Sequence, residues 1–64
     1  MAGYYRRLIE LLNEHGCEFV RQKASSHEVW FSPITNRRFP VPYNTKDRHT
    51  ANGILKQAGI NAKL

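Results

Sequence analysis

The sequence predicts an α+β fold made of one helix, three antiparallel strands and a second helix, with both helices on one face of the sheet. Apolar residues repeat at helical spacing near both ends of the chain, and three strand-like runs separated by turn residues lie between them. At 64 residues we expect a single domain, residues 1–64. Its core must be small, because a chain of this size buries only about 60% of the surface it exposes when unfolded.

The first helix is predicted from an apolar stripe at positions i, i+3, i+4 and i+7. We expect it to run from about residue 3 to residue 15, and Gly16 then supplies the residue type that closes helices in a left-handed conformation. His15, in the last turn, is expected to act as a favourable cation at the negative end of the helix dipole. The stripe consists of Tyr5, Leu8, Ile9 and Leu12.

Three runs between the helices have strand character. Residues 17–22 mix β-forming residues with alternating polar positions, and residues 28–31 are their predicted hairpin partner. Residues 37–42 form the third strand, in which Pro40 and Pro42 are spaced by two and so fit an edge strand whose missing donors face outwards.

The aromatic residues of the second strand point to opposite faces of the sheet because they are consecutive. We expect Phe31 in the core with Phe19, and Trp30 outside, where its ring is available to stack on a base. The alternative, in which Trp30 covers the edge of a small core, stays open.

A polar loop after the third strand leads to the second helix. We expect Thr50 to open this helix and Gly59 to end it. Gly53 inside it costs about 1 kcal/mol relative to alanine, so tertiary packing must hold the helix in place. The residues that share its apolar face are Ala51, Ile54, Leu55 and Ala58.

The balance of charge favours a polyanionic partner. Ten Lys and Arg against five Asp and Glu give a net charge of +5, and the sequence pI is near 9.9. A pI above 9 is typical of nucleic-acid-binding domains, although a charge that serves only solubility is the alternative. The acids cluster early in the chain, so we expect the later two thirds to face the nucleic acid.

Compartment and membrane association also follow from the composition. No apolar run approaches the roughly 20 residues needed to span a bilayer, so we expect a soluble protein with no membrane partner. Glu10 interrupts the segment that would otherwise resemble the apolar part of a signal peptide, which favours a cytoplasmic location. Cys17 is the one cysteine and cannot form an internal disulfide.

A polar turn between the first two strands carries His27, the residue best suited to chemistry. An imidazole with an ordinary pKa of about 6.5 can give and take a proton near neutrality, and RNA phosphodiester transfer needs both roles. Ser25 and Ser26 either donate to a phosphate oxygen or bond their own backbone. Lys23 either stabilises developing charge or is a solvated surface residue. On residue type alone, a structural or surface histidine is the alternative.

No metal site and no cofactor are predicted. Zinc sites need pairs of ligands at short spacing with a loop between the pairs, and this chain has no such pairs. The histidine and cysteine residues concerned are His15, Cys17, His27 and His49.

One set of residues carries a resemblance to a known family: Gly16, residues 20–23, the Ser26-His27 pair, Val41-Pro42, Lys46-Asp47 and residues 54–60. These segments resemble the HicA family of toxins, and the resemblance covers nearly the whole chain. It implies a double-stranded-RNA-binding-domain-like fold and the role of toxin in a type II toxin–antitoxin system. It also implies a metal-independent endoribonuclease that cleaves mRNA, and a HicB-like antitoxin that binds and silences it. The catalytic role falls on His27.

Charge and position together predict an RNA-binding surface around the turn and the third strand. We expect the toxin itself to be monomeric. The competing interpretation is a non-catalytic RNA-binding module of the same fold, but such modules place lysines at the start of their second helix. Here no lysine occurs in that helix before Lys56. A protein-interaction role survives only as the antitoxin-bound form. The predicted RNA-binding residues are Lys23, Ser25, Ser26, Arg37, Arg38 and Lys46.

Overall fold

The computed structural model describes residues 3–64 and has the predicted α+β architecture. Its three strands form one antiparallel sheet in the order β1-β2-β3. Met1 and Ala2, which begin the segment for which no export signal is expected, lie outside the described residues. The elements are α1 (Tyr5–Glu14), β1 (Glu18–Ala24), β2 (His27–Ser32), β3 (Arg37–Pro42) and α2 (Arg48–Gln57).

Helix α1 begins later than the sequence predicts and ends where a glycine permits it. The backbone N–H of Tyr4 donates to Thr45 O at 2.9 Å, which ties the start of α1 to the loop after β3. At the other end, His15 Nδ1 lies 2.9 Å from Leu11 O. Gly16 has φ +83°, the left-handed conformation expected of a helix-closing glycine.

The two helices pack against one face of the sheet and enclose the core, as predicted. From the sheet, Trp30, Phe39 and Val41 contribute to this core. The helices and the segments that follow them supply the rest, namely Leu8, Leu11, Leu12, Cys17, Ile54, Leu55, Ala58 and Ile60.

The opposite face of the sheet carries none of these core residues, and we call it the open face. Directly paired residues of antiparallel strands share a face, so the register defines its members. They are Glu18, Arg21 and Ala24 of β1, His27, Val29 and Phe31 of β2, and Arg38, Pro40 and Pro42 of β3.

The prediction for the aromatic residues of β2 was wrong. Trp30 is buried in the core, whereas Phe31 is half-buried on the open face. Phe19, expected in the core, is 51% exposed and packs edge-on against Trp30, with ring centroids 6.0 Å apart. The indole can be buried because its one polar group is hydrogen-bonded: Nε1–H donates to Glu28 Oε1 at 2.9 Å.

Strand β1 is an edge strand that extends beyond the helices. It runs two residues further than predicted, and all seven of its residues are exposed. Its pairing with β2 skips Val20 and Lys23, the positions of two irregularities in the ladder. Such bulges twist an edge strand and blunt its tendency to pair with other chains.

Helix α2 begins two residues earlier than predicted because Asp47 caps it. The Asp47 carboxylate accepts a hydrogen bond from Thr50 N at 2.8 Å, and this bond, foremost, lowers the pKa of Asp47. Gly59 ends the helical region with φ +78°, as predicted. Within residues 3–64, neither helix has the length and apolar character needed to cross a membrane.

Candidate active site

His27 is the first residue of β2 and lies, exposed, at one end of the sheet. Only Ser25 and Ser26 separate β1 from β2, so the turn holds His27 beside Ala24, its partner on β1. Pro42, the last residue of β3, is its partner on the other side. We call this region the His27 end; it comprises the β1–β2 turn, the end of β3, the loop after β3 and the start of α1.

Ser26 contacts the imidazole directly. Its Oγ lies 3.3 Å from His27 Nδ1, and its carbonyl oxygen accepts a hydrogen bond from Tyr43 N at 2.9 Å. The backbone of Ser26 is therefore held by the residue that follows β3. Its hydroxyl is placed to favour one orientation of the ring.

The turn is closed by Gln22, a residue that the sequence analysis did not single out. Gln22 Nε2 donates to Ala24 O at 2.7 Å and to Ser25 O at 3.3 Å. A side-chain amide two residues before a tight turn is a usable signal for this role, because it can reach the turn carbonyls. Lys23, which lies between Gln22 and Ala24 in the chain, is exposed at a bulge of β1.

Behind His27, on the helix side of the sheet, the Glu28 carboxylate accepts hydrogen bonds from two aromatic side chains, and the single Tyr5 hydroxyl hydrogen is shared between its two oxygens. Tyr5 OH donates to Glu28 Oε1 at 3.0 Å and to Oε2 at 2.8 Å, and Trp30 Nε1 donates to Oε1 at 2.9 Å. Burial, followed by the hydrogen bond and charge of Glu28, raises the pKa of Tyr5 to about 12. The phenol thus remains a neutral donor that joins α1 to the start of β2.

Sequence reasoning missed this cluster. The spacing of Glu28 and Trp30 by two residues was the available signal, since it puts them on one face of a strand. The third member, Tyr5, lies 23 residues away in sequence and carried no signal beyond its place in the apolar stripe of α1.

Tyr43 adds an exposed aromatic ring to the His27 end. It is 57% exposed, and its ring meets that of Tyr5 edge-on, with centroids 5.8 Å apart and planes at 73°. The loop then folds back, because Thr45 Oγ1 donates to Pro42 O at 2.6 Å. The exposed Lys46 follows directly, so the loop keeps a cation near this end.

The predicted RNA-binding residues divide into two groups. Lys23, Ser25, Ser26 and Lys46 lie in the turn, the adjoining strand or the loop of the His27 end. Arg37 and Arg38 lie at the start of β3, paired with Ser32 and Phe31 at the far end of the sheet. Arg38 is four residues from the partner of His27, or roughly 13 Å along the strand. Arg38 shares the open face with His27, whereas the register places Arg37 on the helix side.

The remaining titratable groups do not gather into a second cluster with ligand character. Among residues 3–64 no three His, Cys, Asp or Glu side chains are arranged to hold a metal ion. Cys17 is buried, and this burial raises the pKa of its thiol. The groups available for chemistry at the His27 end include an imidazole, serine hydroxyls, the phenols of Tyr5 and Tyr43, and two lysines.

This combination of fold and site defines a class of small basic α+β proteins with one exposed histidine at a hairpin turn. The family model of the HicA toxin of bacterial toxin–antitoxin systems matches residues 5–60. The chain therefore belongs to the HicA toxin family, which confirms the resemblance seen in the sequence. Its membership implies a toxin–antitoxin system with an antitoxin partner. Searches of curated proteins and of solved structures returned no significant match.

Proposed function

We propose that this toxin is a metal-independent endoribonuclease that cleaves mRNA with His27 as general acid/base. The observation that carries the proposal is the exposed imidazole at the turn of a HicA family chain, with a hydroxyl 3.3 Å from its Nδ1. The net charge of the chain, +5, supports attraction to RNA.

The chemistry needs little from the protein because RNA carries its own nucleophile. In this proposal Nδ1–H donates to Ser26 Oγ, which leaves Nε2 free to take the proton of the ribose 2′-OH. The 2′-oxygen bonds to phosphorus as the bond to the 5′-oxygen breaks, and that leaving oxygen takes the proton back from Nε2–H of His27, which restores the neutral imidazole. Lys23 is placed to offset charge on the phosphorane. Acid/base assistance of this kind contributes about 10²–10⁴-fold.

The same surface suits silencing by the antitoxin. We propose that a HicB-like protein binds the monomeric toxin in the cytoplasm and covers the His27 end, so that antitoxin and RNA compete. Titration of antitoxin into a complex of His27→Ala protein with labelled RNA should release the RNA. Formation of a ternary complex with unchanged RNA affinity would contradict masking of the site.

The central experiment replaces His27 with alanine and measures both growth inhibition and cleavage of purified mRNA. We expect both activities to be lost, with unfolding free energy changed by less than about 0.5 kcal/mol, since His27 is exposed. His49→Ala is the matched control, because His49 is also exposed but lies in the first turn of α2. It should retain activity.

Two results would count against the proposal. Full cleavage by the His27→Ala protein would remove the catalytic role of His27. Tight RNA binding by the unaltered protein without any cleavage would instead favour the alternative, a non-catalytic RNA-binding module of the same fold.

A further inference from the structure

Tyr43 is an exposed aromatic residue next to the candidate catalytic histidine. It directly follows Pro42, the cross-strand partner of His27, and its backbone N–H binds the carbonyl of Ser26, the residue before His27. With 57% of its surface exposed, the side chain contributes little to the core. The ring of Tyr43 is therefore exposed to solvent, one residue along the chain from Pro42, the cross-strand partner of His27.

The ring of Tyr43 is held in place by a neighbour that is itself fixed. Tyr5 meets it edge-on at 5.8 Å, and the Tyr5 hydroxyl is bound to both carboxylate oxygens of Glu28. Glu28 is anchored in turn by Trp30 Nε1–H. An aromatic platform with a supported ring loses little conformational entropy when a ligand stacks on it.

Exposure alone does not single out Tyr43, since four large hydrophobic side chains are exposed among the described residues. Phe19 packs against Trp30 from the edge strand β1. Ile34 lies in the turn after β2, and its Cγ2 would lie 2.8 Å from a Cβ added at Gly59. Val20 is an aliphatic residue at a bulge of β1. Only Tyr43 combines an aromatic ring with a position at the His27 end.

We propose that Tyr43 stacks on one unpaired nucleobase of the RNA and so seats the adjoining phosphate at His27. This inference rests on the proposed function. It requires an unpaired stretch of the RNA, because a base inside a duplex is stacked on both sides and has no free face for Tyr43. Stacking tolerates any base, so Tyr43 supplies affinity and register with little sequence preference. Lys46, three residues further along the loop, is placed to meet the neighbouring phosphate.

The test measures RNA binding apart from cleavage. In the His27→Ala background, a short labelled single-stranded RNA of fixed sequence is titrated with Tyr43→Ala, Tyr43→Phe and Tyr43→Trp proteins. Loss of one base–aromatic stack should weaken binding by about 5- to 150-fold in Tyr43→Ala. Phenylalanine and tryptophan should hold the affinity within about twofold, because each keeps an aromatic face. Phe19→Ala is the matched control and should bind as its parent does.

A second measurement identifies the stacked base. RNAs that each carry one abasic position are compared on the parent and Tyr43→Ala proteins. At one position, removal of the base should weaken binding of the RNA to the parent protein. The same removal should not weaken binding to the Tyr43→Ala protein any further. Equal binding by Tyr43→Ala and the parent, or equal effects of abasic substitution on both proteins, would overturn the stacking proposal.

The two proposals fail in different ways. If unaltered protein binds RNA through Tyr43 but does not cleave it, the ribonuclease proposal is wrong and stacking stands. If it cleaves RNA with the same KM and kcat when Tyr43 is alanine, stacking is wrong and the ribonuclease proposal stands. Absence of any RNA binding at near-physiological salt would overturn both.

Discussion

The two ends of the sheet are built in different ways. The His27 end is held by hydrogen bonds that side chains donate: Tyr5 to the Glu28 carboxylate, and Gln22 to the backbone carbonyl of Ala24 in the turn. The opposite end, which we call the glycine end, consists of Gly16, the β2–β3 turn at residues 33–36, and Gly59. It depends on left-handed backbone and close packing, with Asn36 at φ 60° and Gly59 at φ +78°.

The two ends also differ in how far their polar side chains are buried. At the glycine end, the fully buried Ser32 hydroxyl donates to Ala58 O at 2.6 Å and accepts from Ile34 N at 3.2 Å. At the His27 end, the histidine and Tyr43 are exposed. One end of this small domain is therefore held by buried groups, whereas the other presents polar and aromatic groups to solvent.

The largest effect should come from a methyl group added at Gly59. Its Cβ would lie 2.8 Å from Ile34 Cγ2 and 2.9 Å from Thr35 Cγ2, at φ +78°. We expect Gly59→Ala to destabilise the fold by about 2–4 kcal/mol. Gly53→Ala is the matched control, since nothing lies within 4 Å of its Cβ, and it should stabilise the fold by about 0.5–1 kcal/mol. Urea unfolding measures both.

Cleavage by these two variants sharpens the contrast between the ends. Each should cleave RNA at the unaltered rate per folded molecule under conditions where it is folded. A loss of cleavage in fully folded Gly59→Ala protein would show that the glycine end also serves function.

The next effect concerns the buried hydroxyl of the glycine end. Ser32→Ala removes the donor to Ala58 O and should cost about 1–3 kcal/mol, because a buried carbonyl loses its partner. Thr35→Val is the control: Thr35 Oγ1 is buried and has no hydrogen-bond partner among residues 3–64, so valine should be neutral or stabilising. Thermal unfolding followed by circular dichroism would distinguish them, and equal losses would refute the assignment.

A smaller loss of stability is expected when the Tyr5 hydroxyl is removed from the His27 end. Tyr5→Phe removes the hydrogen bonds to Glu28 and should cost about 1 kcal/mol at neutral pH, since the pair is only partly buried. The folded-state pKa of Tyr5 is raised from 10.0 to about 12. Its contribution to stability is therefore fully present below pH 10 and is lost as the pH rises toward 12.

The measurement is the unfolding free energy of Tyr5→Phe and of the unaltered protein from pH 8 to pH 12. The difference between them should shrink over the upper part of this range. A constant difference would mean that the Tyr5 hydroxyl is not held by Glu28 in solution.

The smallest effect tests whether RNA spans the open face between the two ends. Arg38 shares that face with His27, and a phosphate contact there should contribute roughly 0.7 to the slope of log binding constant against log salt concentration for a single strand. Arg38→Gln should lower the slope by that amount. Arg37→Gln compares the neighbouring arginine on the helix side. Equal losses would place both arginines on the RNA path, as the sequence predicts, and no loss would confine the RNA to the His27 end.

The sequence by itself determined the order of the elements, the ends of the helices near Gly16 and Gly59, the bounds of β3 and the family. These features follow from local periodicity and from backbone preferences of single residues. The sequence also singles out His27 as the candidate catalytic residue, because a polar turn between two strands is a local pattern, and this role stays a prediction.

Tertiary structure alone decided which face of β2 is buried. Alternation shows that Trp30 and Phe31 point to opposite faces of the sheet, but it does not show which face the two helices cover. It likewise decided the Tyr5–Glu28 contact and the distance of Arg38 from His27. The physical reason is that such contacts join residues far apart in the chain, here 23 positions for Tyr5 and Glu28, and their energies appear only once the helices have packed on the sheet.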